Sequence, residues 1–153
     1  MQVKDFMITK VITAKPSFTI KEILMLFVSN RIGGVPVVDD KEHLIGMVSD
    51  GDILRFLTPK PRNIISLYYL VYADEAEELE EVLEAKLDTP VKEIMTKKNL
   101  ETVSPDDDFE KTMRLLSQNH FKKLPVLNGA GRVIGILSRG DLVYNLSKKI
   151  ISQ

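Results

Sequence analysis

The chain has no cysteine, no tryptophan, only two histidines and a net charge of −1 over 153 residues. Without cysteine there is no disulfide, no thiolate metal site and no cysteine nucleophile. That composition fits a reducing compartment, and the cytoplasm is the expected location. The histidines, His43 and His120, are far apart and have no clear third ligand, so no metal is expected. The balanced charge supplies no global basic field and disfavours nucleic acid as a partner. The longest apolar run, Ile64–Val71, is interrupted by Ser66 and is too short to span a bilayer. Met1–Asp5 lacks the basic-then-apolar layout of a signal peptide, and no membrane association is expected. The glycines fall in turns and at helix starts and form neither a phosphate-loop nor a dinucleotide signature. No nucleophile–base pair or acid–base dyad is laid out, so the chain does not read as an enzyme. What it does have is 44% hydrophobic residues, enough for one compact domain or two small ones sharing a core.

The rest is organised around residues 120–141. Leu124–Leu127 reads as a short buried strand, Asn128-Gly129-Ala130-Gly131 as a turn and Val133–Leu137 as a second strand, giving a hairpin. Ser138-Arg139-Gly140-Asp141 follows, then a helical run over Leu142–Ile151. Ser138 and Asp141 thus lie where a strand gives way to a helix, a place whose free N–H groups and dipole favour anions. The same arrangement occurs at Arg31–Asp52. Pro36 and Pro125, Gly46 and Gly135, Ser49 and Ser138, Asp52 and Asp141 are each 89 positions apart, and seven positions are identical between 32–53 and 121–142. An ungapped repeat of this kind indicates duplication.

The repeated motifs, Gly-Val-Pro-Val-Val-Asp at 34–39 with Gly-Met-Val-Ser-Asp-Gly-Asp at 46–52, and Lys-Leu-Pro-Val-Leu-Asn at 123–128 with Gly-Ile-Leu-Ser-Arg-Gly-Asp at 135–141, resemble the cystathionine β-synthase (CBS) domain. Val3–Ile8 and Val91–Thr96 fit that family's opening. The resemblance implies a mixed α/β fold of two tandem units, packed sheet to sheet with pseudo-twofold symmetry. Each unit would have a three-stranded sheet with two helices on one face and would share two clefts with the other. It divides the chain into a first repeat (1–60), a linker (61–90) and a second repeat (91–153).

Within each repeat the elements are legible from periodicity. Val11–Thr13 is a strand candidate. Thr19 and Glu22 have capping-box spacing for a helix to about Asn30, with Ile20, Ile23, Leu24, Phe27 and Val28 on its inner face. The hairpin 35–38 and 44–48 follows, then a helix from near Gly51 that stops before Pro59. In the second repeat Asp108 stands in register with Thr19 as an N-cap, and Phe109, Met113 and Leu116 face inward to about Gln118. Asp106-Asp107-Asp108 reads as a helix start rather than a metal site. In the linker, Ala73–Asp88 carries eight acidic residues and one lysine, with Leu79, Val82, Leu83 and Leu87 in one stripe. It reads as an amphipathic helix that either links the repeats or docks on another surface.

Asp52 and Asp141 are candidate helix caps on position alone. By resemblance they are also ribose ligands, and Ser49 and Ser138 lie near phosphate. The chemistry is sound, since a carboxylate can accept two O–H bonds from a cis-diol. Lys122 and Lys123 precede Leu-Pro-Val, where nucleotide-binding members place basic residues. Gly33 and Gly34 stand there in the first repeat, so the Asp141 cleft is expected to prefer phosphorylated ligands. Arg139 could add charge, and Asp50 at the matching position would oppose it. For the apolar slot that holds the base, Ile12, Ile32, Gly34 and Ile136 are assigned to the Asp141 cleft, with the backbone at Ile12 and Thr13 placed to read the base edge. Met47 and Phe121 are assigned to the Asp52 cleft. The expected function is reversible binding of AMP, ADP, ATP or S-adenosylmethionine as a regulatory ligand, with no required cofactor, by a homodimer that signals to a separate protein. The rivals are an enzyme, a dimerisation module with empty clefts and, more weakly, a nucleic-acid binder.

Overall fold

The computed structural model describes residues 1–59, 75–118 and 122–153. In chain order the elements are α1 (Ile20–Asn30), β1 (Gly34–Val38), β2 (Leu44–Ser49), α2 (Asp50–Leu57), α3 (Glu75–Lys86), α4 (Phe109–Ser117), β3 (Lys123–Leu127), β4 (Val133–Ser138) and α5 (Arg139–Ile151). Each repeat contains an antiparallel hairpin, β1–β2 or β3–β4. The registers correspond position for position: Gly34 pairs with Ser49 as Lys123 does with Ser138, and each ladder slips at Val37/Val38 or Val126/Leu127. The third strand expected in each sheet is reduced to one parallel bridge, Ala14 to Val37 and Val103 to Val126. Pro16 and Pro105 follow closely and cannot donate to a ladder, which keeps those strands from extending.

The helices begin where side chains can cap them. Thr19 accepts from the Glu22 N–H at 3.2 Å, and the Glu22 carboxylate accepts from the Thr19 N–H at 3.2 Å, so the expected capping box is present. Asp108 accepts from the Lys111 N–H at 2.7 Å. Asp106 and Asp107 are also engaged, with Lys4 and with Lys111. Two expected inward positions are corrected. Val28 is 80% exposed and Met113 39% exposed, while the fully buried neighbour on α4 is Thr112, whose hydroxyl donates to the Asp108 carbonyl. A hydroxyl satisfied by its own helix can occupy a core position at little cost.

The two cores exchange their opening segments. Val3 and Phe6 are buried with Val103, Leu116, Leu124, Val126, Leu137 and Leu142 of the second repeat. Val91 is buried with Ala14, Ile20, Ile23, Val35, Val37, Val48 and Ile53 of the first. The backbone bonds repeat the exchange. The N–H groups of Val3 and Lys4 donate to the Asp107 and Pro105 carbonyls, as those of Val91 and Lys92 donate to Phe18 and Pro16. Ile8 and Ile136 exchange two bonds, as Thr96 and Met47 do. The repeats pack sheet to sheet, and their turns meet at a His43–Arg132 bridge on the pseudo-twofold axis. His43 is half-buried there beside Asp39, at 3.3 Å.

Helix α3 lies against the first repeat. Lys86 Nζ donates to the Phe56 carbonyl at 2.6 Å and sits 5.0 Å from the Phe56 ring centre. The Leu87 and Thr89 carbonyls then accept from the Lys21 and Ile20 N–H groups at the start of α1. Ile64–Val71, His120 and Phe121, all singled out from sequence, lie outside the described residues.

Candidate functional site

Strand β4 ends at Ser138, and α5 begins one residue later. Ser138 is therefore the N-cap and Asp141 the third helical residue, which corrects the expectation that the carboxylate is itself the N-cap and that the helix begins at Leu142. Asp141 Oδ2 accepts from both the Ser138 N–H at 3.0 Å and the Ser138 hydroxyl at 2.7 Å. The Asp141 N–H donates back to Ser138 Oγ at 3.1 Å. That box fixes the carboxylate but uses one oxygen. Among the described residues no group donates to Oδ1, which leaves an ionised acceptor open.

Asp141 borders a cleft of about 390 Å³ between the repeats. Its lining includes seven of the expected residues: Ile12, Ile32, Gly34, Lys123, Ile136, Ser138 and Asp141. Such a volume suits a small ligand. Gly33 and Gly34 form the facing wall. A Cβ at Gly33 would come within 2.9 Å of the Asp50 carboxylate, and one at Gly34 within 3.4 Å of the Val48 carbonyl. The absence of side chains at these two positions keeps the wall low.

Lys123 crosses from one repeat to the other, donating from Nζ to the Gly34 carbonyl at 3.2 Å. Burial pushes its pKa down, opposed by the Asp141 and Asp50 carboxylates. A lysine whose folded pKa is lowered is penalised in its charged form. The penalty is present at neutral pH, fades as pH rises through the lowered value, and is gone above the unfolded value near 10.5. Lys123→Met should therefore raise the melting temperature of the unliganded protein at pH 7. The gain should shrink toward pH 10.5 and be accompanied by weaker nucleotide binding. Thermal scans across pH check it; a melting point that falls at pH 7 would mean that the Gly34 bond outweighs the buried charge.

Three expected residues lie elsewhere. Lys122 is exposed, and its carbonyl accepts from the Arg139 N–H. Arg139 donates from Nη2 to the Gln118 carbonyl at 2.6 Å and does not line the cleft. Thr13 does not line it either. Residues 8–13 pass the opening with a bend at Thr9 and Lys10 and belong to no helix or strand. Ile8, Lys10 and Ile12 point to the cleft and Thr13 does not. The backbone groups of Lys10–Thr13 make no hydrogen bond among the described residues, so they remain available to a polar ligand edge.

Four lining residues were missed in the sequence: Ile8, Lys10, Arg31 and Gly33. The first two lie in a segment with a bend at Thr9 and Lys10, where no periodicity signals them. Arg31 closes α1 in the left-handed conformation, at φ 53°, immediately before Ile32.

The first repeat is built alike but finished differently. Ser49 caps α2, and Asp52 Oδ2 accepts from the Ser49 N–H and hydroxyl at 2.9 and 3.1 Å. Its Oδ1, however, accepts from Arg55 Nη2 at 2.8 Å. The residue matching Arg55 in α5 is Tyr144, which has no charge to offer. Met47 is half-buried in its bridge to Thr96.

The CBS domain model matches residues 3–59 and 91–148. The uncharacterized protein MJ1426 of Methanocaldococcus jannaschii is 33% identical over 156 residues, covering 95% of this chain and 91% of that one. The chloroplastic CBS domain-containing protein CBSX2 of Arabidopsis thaliana is 33% identical over 133 residues, 84% of this chain and 56% of its own length. A crystal structure of CBSX2 superposes with a TM-score of 0.78 at 31% identity, covering 99% of this chain and 97% of that one. A second, in complex with AMP, gives 0.73 at 29%, covering 99% and 98%. Inosine-5'-monophosphate dehydrogenase of Aquifex aeolicus is 28% identical over 137 residues, which is 90% of this chain but 23% of the enzyme. The chain belongs to the CBS-domain family and is a tandem pair.

Proposed function

We propose that the chain is a regulatory module that reversibly binds an adenosine-containing ligand in the Asp141 cleft and transmits occupancy as a change in the packing of its two repeats. The observation that carries this reading is the open Oδ1 of a carboxylate locked by Ser138 at the edge of a cleft with an apolar slot. Ribose hydroxyls would donate to Asp141. The base would lie among Ile12, Ile32 and Ile136, its edge against the backbone of Lys10–Thr13. Ser138 and Lys123 would face the phosphate. The AMP complex of CBSX2 supports the ligand class. AMP, ADP, ATP and S-adenosylmethionine are the candidates. Because the ligand closes onto both repeats, it favours one relative packing over others, and that difference is the signal. No reaction is assigned: the match to inosine-5'-monophosphate dehydrogenase covers less than a quarter of that enzyme.

A homodimer in the cytoplasm, acting on a separate protein, completes the proposal. Met25 and Val28 on α1, Leu54 on α2, and Val143 and Tyr144 on α5 are large apolar or aromatic side chains left exposed on the helical faces. They also favour the second reading, a dimerisation module with empty clefts. Native mass spectrometry of purified protein, before and after addition of AMP, ATP and S-adenosylmethionine, separates the two. The proposal expects a dimer that takes up at least one of these ligands and returns it unchanged. A dimer that takes up none supports the structural module.

A further inference from the structure

The cleft is charged as well as shaped. Lys10 and Arg31 line it together with Lys123, so three cations from three separate segments border one opening. Lys123 is occupied with the Gly34 carbonyl and lies between the Asp141 and Asp50 carboxylates. Lys10 and Arg31 pair with no carboxylate and make no side-chain hydrogen bond among the described residues. Both are exposed at the cleft mouth. Arg31 has a second peculiarity. The helix end it occupies is left-handed, at φ 53° and ψ 48°, where glycine is the unstrained choice. Two glycines follow directly, yet arginine holds this position. The backbone therefore tolerates strain at a point where the gain is a guanidinium at the mouth of the cleft.

We infer that Lys10 and Arg31 are specificity-determining residues that make the Asp141 cleft select an adenosine ligand carrying a polyphosphate over one carrying a sulfonium. This rests on the reading that Asp141 holds the ribose. With the ribose on Asp141 and the first phosphate near Ser138 and Lys123, further phosphates extend toward the two unpaired cations. A sulfonium would enter the same cationic field unfavourably. Arginine suits the outer position because its planar fork can hold two phosphate oxygens at once.

Calorimetry on the whole protein without magnesium, using ATP, AMP, adenosine and S-adenosylmethionine, tests the inference. Affinity should rise from adenosine to AMP to ATP, with S-adenosylmethionine weaker than ATP. The ATP advantage should diminish as salt is raised, because exposed charges are screened. Arg31→Gly is the informative variant, since glycine relieves the left-handed strain and misfolding cannot account for its effect. Arg31→Gly and Lys10→Ala should each weaken ATP by about threefold, and together by about tenfold, while adenosine is unchanged. Equal affinities for ATP and adenosine, tighter binding of S-adenosylmethionine than ATP, or variants that leave ATP unaffected would each overturn the inference and leave the ribose reading standing. If none of the four compounds binds, both fall.

Discussion

Asp141→Asn is expected to abolish most of the ligand-induced stabilisation while leaving the unliganded protein nearly as stable as before. Asn keeps one oxygen that can accept from the Ser138 N–H and hydroxyl, the two donors that Asp141 Oδ2 now serves. What is lost on folding is a negative charge in the first turn of α5, worth about 0.3–1 kcal/mol, or roughly 1–4 °C of melting temperature. The ribose loses more. Its hydroxyls exchange an ionised acceptor for an amide, and charge-assisted bonds of this kind are worth about 1.5–3 kcal/mol, or roughly 10- to 150-fold in affinity. At a ligand concentration near 100 times its dissociation constant, the wild-type protein gains about 2.7 kcal/mol, a shift of roughly 5–11 °C. The variant should lose most of that shift. Asp52→Asn is the control, because the Asp52 Oδ1 is already taken by Arg55; it should change the ligand shift little. Thermal scans with and without AMP, ATP and S-adenosylmethionine decide the matter. A ligand that shifts the wild-type and Asp141→Asn proteins equally would reduce Asp141 to a part of the helix cap.

The cleft was partly legible because duplication leaves a register. Ser138 and Asp141, three positions apart at the end of an apolar strand, could be placed at a helix start from spacing alone, and the capping box confirms that local geometry. The division of labour within it was not legible. Ser and Asp both suit helix starts, and only the backbone shows that the hydroxyl is the N-cap and the carboxylate the third residue. Lys123 lines the cleft and Lys122 does not, and nothing in Lys-Lys says which of two adjacent residues faces in. Lys10 reaches the cleft from a bend between Ile8 and Ile12, outside any helix or strand, so no periodicity marks it.

The asymmetry of the two Ser–Asp boxes lies in a residue that motif comparison passes over. Arg55 and Tyr144 follow their aspartates by three positions, outside the Ser-x-Gly-Asp match. On a helix that spacing puts a side chain over the carboxylate, so the exchange of Arg for Tyr decides whether the second oxygen is paired or open. Likewise, an internal repeat indicates that two units exist but not which core receives each opening segment. Val3 and Val91 are equivalent in sequence, and either core could accommodate either one. The exchange rests on contacts between segments far apart in sequence, Val3 with Asp107 and Val91 with Phe18, and these are non-local.

That exchange makes Phe6→Ala the most damaging substitution expected in the N-terminal segment, with its damage in the other repeat. Phe6 is buried in the second core and meets Phe109 edge to face, with ring centres 5.1 Å apart and planes at 67°. Truncating a buried phenylalanine costs about 3–5 kcal/mol, which lowers the melting temperature of a chain this size by roughly 6–20 °C. The position of the loss tests the architecture. Hydrogen exchange under native conditions should show amides of Val103, Leu124, Val126 and Leu137 losing protection more than those of Val35, Val37 and Val48, because the cavity opens in the cluster that holds Val3 and Phe6. If protection is lost mainly in the first repeat, the opening segment packs on its own unit and the exchange is wrong. The site should respond as well. Ile8, two residues beyond Phe6, is tied to Ile136 by backbone bonds of 3.0 Å in each direction, and both line the cleft. Loosening the segment releases that wall, so affinity for an adenosine ligand should fall although no residue proposed to touch the ligand has changed. Saturating ligand should then restore part of the lost protection in the second repeat, because binding stabilises only the packed form. Full loss of protection with unaltered affinity would show that the cleft does not depend on the exchanged segment.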